Sequence, residues 1–382
     1  RVRTRTGMIA VATSTVLGVA SSPVLAPLPA PALLPPLLGV APSAAGGLLG
    51  GSGRSKLVWE ILREGGDPFE EGSGLGRSTR AALHAHFSPP AHELIATSIS
   101  ECGTRKLLLR LPRGDEVETV IIPHRGFSTL CVSSQVGCRQ GCTFCATGTM
   151  GLLRSLTTDE ILLQLHAASA AVSEHGMPPL RNVVFMGMGE PADNVEHVTG
   201  ALHAMTHPFG FQLCKKYVCV STVGPSPAHI RALEPLPARL AWSVHAAEDT
   251  LRKLLVPTTR HTMAELRDAW GEVLAARRDR GLMAEVTLID GVNDGAEHAE
   301  QLHALLAPLP GKTRINLIPY NANAGLGAAG RLFLPSPPAA VQAFHARLID
   351  LGVICTVRVP RGNEEDSACG MLRVTKGDSG VD

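Results

Sequence analysis

The chain has 382 residues, 45% of them hydrophobic and 4% aromatic, with 35 basic against 34 acidic side chains. This composition excludes a disordered tail, a collagen-like repeat and a small disulfide scaffold, and the length allows two or three ordinary domains or one large α/β barrel with additions. A formal net charge of +1 gives no global basic field, so any contact with nucleic acid has to rest on a local patch.

Up to Glu60 there is no acidic residue, and residues 1–55 carry Arg1, Arg3, Arg5 and Arg54 among abundant Ser, Thr, Ala and Pro. That is the composition of a mitochondrial or plastid transit peptide, with a disordered extension and a cytoplasmic protein as the alternative. Pro23, Pro27, Pro29 and Pro31 break the apolar run, which argues against a transmembrane helix and against a membrane partner. Residues 56–122 read as a small N-terminal accessory domain. Val58–Leu62 and Thr79–Phe87 are its helical stretches, and the turn Arg113-Gly114-Asp115 separates strands over Lys106–Leu111 and Val117–Ile122. From 123 to 382, strand-like runs alternate with amphipathic helices. The strands are expected at Thr129–Ser133, Asn182–Met186, Tyr217–Ser221, Leu240–Val244, Ala284–Ile289, Arg314–Ile318 and Val353–Val359. Helices are expected at Thr158–Glu174, Met263–Arg278 and Ala296–Leu306, the first started by a capping box of Thr157 with Glu160. Such alternation predicts βα units and a mostly parallel sheet, open or closed into a barrel, with functional residues at the C-terminal ends of its strands.

Nine cysteines are too few for a disulfide framework in a chain of this length. Cys138, Cys142 and Cys145 stand at x3 and x2 spacing in a Gly-containing loop after the first strand of the α/β region. Three soft ligands so placed suit a [4Fe–4S] cluster with one open iron, and a zinc site completed from a distance is the alternative. Gly187, Gly189 and Glu190 follow an apolar strand, where glycines allow close backbone approach and a carboxylate can accept from an ammonium group. Cys102, Cys214, Cys219 and Cys355 read as small buried hydrophobes.

The cysteine triplet resembles the signature of radical S-adenosylmethionine enzymes. The runs Leu130–Cys138, Met186–Pro191, Ser243–His245, Gly291–Gly295, Asn316–Asn321 and Arg361–Gly370 are similar to those of the RlmN/Cfr family of RNA adenine methyltransferases, RlmN most of all. The resemblance spans about Lys106 to Leu372 and implies a partial (β/α)6 TIM-like radical SAM barrel with a small N-terminal accessory domain. It implies cluster ligation by Cys138, Cys142 and Cys145. It places S-adenosylmethionine against Gly189, Glu190, Ser221, Ser243, Val244, His245 and Asn321. Cys369 aligns with the cysteine that becomes methylated, Cys131 with the one that resolves the protein–RNA crosslink as a disulfide, and Glu118 with the carboxylate that takes the proton from the adenine carbon.

C2 of adenine lies between two ring nitrogens and is not nucleophilic, so by resemblance its methyl group arrives by a radical route. One S-adenosylmethionine methylates Cys369, and the reduced cluster cleaves a second. The implied substrates are large-subunit ribosomal RNA and, beside it, transfer RNA. The other implied partner is an electron donor such as flavodoxin or ferredoxin, and the chain is read as a monomer. A C8 methyltransferase of Cfr type is the nearest alternative, and a non-catalytic Fe–S RNA-binding protein the alternative from another class. Lys215, Lys216, Arg252, Lys253, Arg154, Arg358 and Arg361 are candidate phosphate contacts. Two departures from the family bear on substrate choice: the run Ala322–Gly330 replaces a Pro-rich, Tyr-containing loop, and the N-terminal module is short.

Overall fold

The computed structural model describes residues 34–322, 326, 333–359, 361–362 and 366–373. Residues 1–33 of the expected targeting segment, and most of the run after Ala322, lie outside the described residues. Helices α1 (Pro42–Leu48), α2 (Ser52–Arg63) and α3 (Arg77–His86) come first, then β1 (Glu93–Ile99), β2 (Arg105–Arg110), β3 (Glu116–His124) and β4 (Phe127–Cys131). A small hairpin of β5 (Gln135–Gly137) and β6 (Leu152–Ser155) encloses the cysteine loop and α4 (Ala146–Thr149). There follow α5 (Thr158–Glu174), β7 (Leu180–Phe185), α6 (Val195–Thr206), β8 (Val218–Thr222), α7 (Pro227–Arg231), β9 (Arg239–Ser243) and α8 (Asp249–Leu255). The chain continues through α9 (Met263–Ala276), β10 (Gly281–Leu288), α10 (Ala296–Leu306), β11 (Lys312–Pro319), α11 (Pro338–Asp350) and β12 (Ile354–Val357).

Ten strands form one sheet in the order β1-β2-β3-β4-β7-β8-β9-β10-β11-β12. Pairing is antiparallel from β1 to β4 and parallel from β4 to β12, with a helical crossover between each successive parallel pair. Inner-face residues Met186 and Glu285 line three of the cavities, so the sheet curls around a shared interior while β1 and β12 stay unjoined. This is the partial barrel the resemblance implied. The capping box of Thr157 and Glu160 starts α5 as expected.

Packed structure begins well ahead of residue 56. Leu37, Leu38, Ala45 and Leu49 are fully buried and share a core with Trp59, Leu165 and barrel residues such as Val183. The targeting reading therefore does not extend over residues 34–55, whose small and apolar side chains serve packing. Gly65, at φ +79°, lets the turn after α2 rest on α5, where a Cβ would stand 2.2 Å from the Ala170 nitrogen. The domain break expected at residue 122 falls inside β3, because β1–β3 extend the barrel sheet instead of standing apart from it.

Candidate active site

Strand β4 ends at Cys131, which pairs with Val120 of β3 and Val184 of β7. Immediately beyond it, Gln164 of α5 accepts from the Ser133 N–H at 2.8 Å and donates to the Ser133 carbonyl at 2.9 Å. Gln135 accepts from the Glu190 N–H at 2.9 Å, which ties the start of the cysteine loop to the turn after β7. That turn needs Gly189: its φ is +97°, and a Cβ would stand 2.5 Å from the Gln135 Cβ.

Cys138, Cys142 and Cys145 line one cavity at the C-terminal ends of the strands, together with Gly189, Glu190, Ser221, Ser243, His245, Asn321 and Cys369. Burial raises all three thiols above the ordinary range, Cys142 to about 12, so each becomes a thiolate only when iron displaces its proton. Among the described residues no three His, Cys, Asp or Glu side chains converge as ligands of a single metal ion would. Three thiols at x3 and x2 spacing around one cavity fit the ligand set of a multi-iron cluster.

The wall of this cavity is made of ordered polar groups. Glu190 accepts from the N–H groups of Ala192 and Val223 at 2.8 and 2.9 Å, and burial pushes its carboxyl up to about 7. His245 sits at φ +52° with Phe144 edge-on at 4.7 Å. Its Nδ1 accepts from the Thr287 N–H at 3.1 Å, which leaves Nε2 as the protonated nitrogen, and burial keeps the ring neutral. Ser221 and Ser243 hydroxyls are 3.0 Å apart. Asn321 Oδ1 is buried with no hydrogen-bond partner among the described residues, an acceptor that suits the amino groups of S-adenosylmethionine. Val244 does not line the cavity; its side chain is fully buried and its N–H donates to the Glu285 carbonyl.

Cys369 is brought here by the C-terminal segment, which is tied down at four points. Asn321 Nδ2 donates to the Cys369 carbonyl at 3.2 Å, and the Ala146 N–H and Thr147 hydroxyl donate to the carbonyls of Gly370 and Leu372 at 2.7 and 2.6 Å. The Arg373 N–H donates to Glu118 at 2.7 Å. Cys369 also lines a second cavity of about 460 Å³ on the open side of the barrel, which contains Cys131 and Arg358. Burial pushes the Cys131 thiol up to about 12 and raises Cys369, and Arg358 opposes both shifts. Glu118 is not in the cavity wall; it is buried beside it on β3, 3.0 Å from Lys106 Nζ, and its carboxyl is raised by burial against the pull of that lysine.

Two candidate phosphate contacts are corrected. Arg252 is 1% exposed and donates to the carbonyls of Val223, Ser243 and Val244, so it braces the cavity floor from within. Arg154 is held by Glu160 and Asp115 at 2.6 Å each. Of the cysteines read as buried, Cys102 and Cys214 are exposed, because one lies in a turn and the other in a loop before β8. Glu285 is the residue the sequence left unmarked: burial raises its carboxyl at the centre of the barrel, where Ser221 and Asn316 donate to it at 3.4 and 3.3 Å. Its only sequence signal was a lone acid in the apolar run Met283–Ile289.

Comparison with known proteins agrees with this geometry. The Radical SAM superfamily model matches residues 132–303. A dual-specificity RNA methyltransferase RlmN from Alkalilimnicola ehrlichii is 40% identical over 305 residues, covering 80% of this chain and 82% of its own. The chain belongs to the RlmN family of radical SAM RNA methyltransferases. Its RlmN relative from Halorhodospira halophila is also 40% identical, over 80% of this chain and 82% of that one. A crystal structure of a radical SAM methyltransferase from Sphaerobacter thermophilus superposes with a TM-score of 0.79 at 33% identity, covering 89% of this chain and 99% of that one. RlmN membership brings a [4Fe–4S] cluster and S-adenosylmethionine as cofactors. The residues fit both: three thiols around one cavity for the cluster, and Glu190, His245 and Asn321 for the polar groups of the nucleoside and amino acid.

Proposed function

We propose that this protein methylates C2 of an adenosine in large-subunit ribosomal RNA, and in transfer RNA, with Cys369 as the methyl carrier. The observation that carries the proposal is the position of Cys369, shared by the cavity of the cluster thiols and by the side cavity that holds Cys131. When bound, the cluster and S-adenosylmethionine supply the electron and the methyl group. Cys369 sulfur carries the methyl carbon from the cofactor cavity toward a base in the side cavity. The proton that C2 gives up is assigned to Glu118, which lies buried beside the side cavity with Lys106 and the Arg373 N–H on its two oxygens and has to turn its carboxylate into that cavity to reach the base. Cys131, as a thiolate, then attacks the Cys369 sulfur, so that an S–S bond replaces the S–C bond, the electron pair goes to the released carbon, and that carbon takes up a proton to leave as the methyl group of the base. A two-electron reductant must return the disulfide to thiols, and a donor such as flavodoxin or ferredoxin fits the separate demand for single electrons.

The test is anaerobic reconstitution with iron and sulfide, followed by RNA mass spectrometry after incubation with large-subunit ribosomal RNA. The wild type is expected to yield 2-methyladenosine. Cys369→Ala is expected to keep the visible absorbance of the cluster and yield none. Methyladenosine from that variant, or 8-methyladenosine from the wild type, would overturn the carrier or the carbon assignment respectively.

A further inference from the structure

A further cavity, about 770 Å³, opens at the other end of the barrel, where the strands begin. Its rim carries Lys216, Arg239, Arg280, Lys312 and Arg314, and none of the five forms an ion pair among the described residues. Of the two acids in the lining, Asp279 is bound by Arg277 at 2.9 Å and Glu285 is buried in the interior. Five uncompensated cations around a concave mouth, in a chain of net charge +1, form a local anion trap.

This cavity adjoins the side cavity that holds Cys131 and Cys369: Asn182, Val184, Met186 and Glu285 line both. A ladder of rings and cations joins their two rims. His124 stacks on Phe127 with centroids 4.6 Å apart and 22° between planes, and Arg181 lies 3.5 Å over the Phe127 ring and 4.8 Å from the Tyr217 ring. Lys216 lies 4.8 Å over Tyr217 at the far end. His124 and Phe127 line the side cavity, Tyr217 and Lys216 the basal one. Alternating aromatic faces and cations along a groove are what single-stranded nucleic acid binds, through base stacking and phosphate contact together.

We propose that the basal cavity is a second nucleotide subsite, which takes a phosphodiester-linked neighbour of the target adenosine while that adenosine occupies the side cavity. This rests on the RNA methyltransferase reading above. The volume suits one nucleotide, the cations of the rim meet its phosphate, and the ladder carries the backbone from one cavity to the next.

The test compares adenosine with the trinucleotide UpApU on the reconstituted protein with S-adenosylmethionine, by isothermal titration. The wild type is expected to bind UpApU at least tenfold tighter than adenosine. Arg239→Ser with Arg314→Ser should lose that gain while binding adenosine as before, and the salt dependence of UpApU binding should flatten by about 0.7 in log–log slope for each lost phosphate contact. Both arginines are exposed, and Lys312→Ser with Lys216→Ser provides a second pair on the same rim. A gain retained in both variant pairs, or no gain in the wild type, overturns the subsite. Wild-type methylation of ribosomal RNA is measured in parallel, so loss of the enzymatic reading is told apart from loss of the subsite.

Discussion

Arg252 offers the sharpest test of how the cofactor cavity is held. Its guanidinium is buried without a carboxylate partner in hydrogen-bond contact, and it donates to three carbonyls at the ends of β8 and β9: 2.8 Å to Ser243, 2.8 Å to Val244, and a third to Val223. Burial lowers its pKa to about 10, which still leaves it a cation at neutral pH. Arg252→Met keeps the length of the side chain and removes the donors. Three hydrogen bonds from a charged donor, at about 1.5 kcal/mol each, sum to about 4.5 kcal/mol. Burial of the methionine body returns about 1.5 kcal/mol, so the net loss is expected near 3 kcal/mol. Urea unfolding at pH 7, followed by far-UV circular dichroism, should show the midpoint fall with an unchanged slope. Arg252→Lys keeps the charge but lacks the planar fork, and should lie between the two. A loss below about 1 kcal/mol for the methionine variant would refute the bracing role, because the three carbonyls would then be satisfied some other way.

Gly189→Ala places a methyl group 2.5 Å from the Gln135 Cβ at a left-handed φ, and should cost about 3 kcal/mol and abolish S-adenosylmethionine binding by equilibrium dialysis; binding within threefold of wild type would contradict it. Lys106→Met removes the 3.0 Å ion pair that holds the Glu118 carboxyl down, so the carboxyl titrates higher, and the acid limb of the methylation pH profile should move to higher pH; an unmoved limb excludes Glu118 as the titrating base. Glu190 has a folded pKa of about 7 against 4.5, so the native state holds its proton more tightly than the unfolded chain. Its contribution is therefore full below pH 4.5 and is lost as pH rises to 7, by about 3 kcal/mol in the cofactor-free protein. Glu190→Gln should flatten that slope in denaturant midpoints measured from pH 4.5 to 8.

Much of this molecule was written locally. The x3, x2 cysteine spacing, the apolar strand runs and the capping box at Thr157 are short-range features, and short-range physics fixes them: ligand chemistry, side-chain alternation and helix-end hydrogen bonding. For that reason α5 and α10 coincide with their expected bounds, and the parallel strands lie within a few residues of theirs. Side-chain burial is not local in this way. Nothing in the pair Arg252-Lys253 says that one side chain turns into the cavity floor while the other faces water, since that depends on where α8 packs against β8 and β9.

The sequence by itself determined the cluster motif, the βα order and the family, because each is carried by residues close together or by many ordered motifs. Only the tertiary structure decided that residues 37–49 belong to the core, that β1–β3 continue the barrel sheet, and that Cys369 meets Cys131 from 238 positions away. It also brought five rim cations, three from β9 and β11 and two from the segments just before β8 and β10, around one mouth, in a chain whose total charge is nearly zero. Net charge sums over the whole chain, whereas a curled parallel sheet gathers the first residues of successive strands at one end and the last at the other.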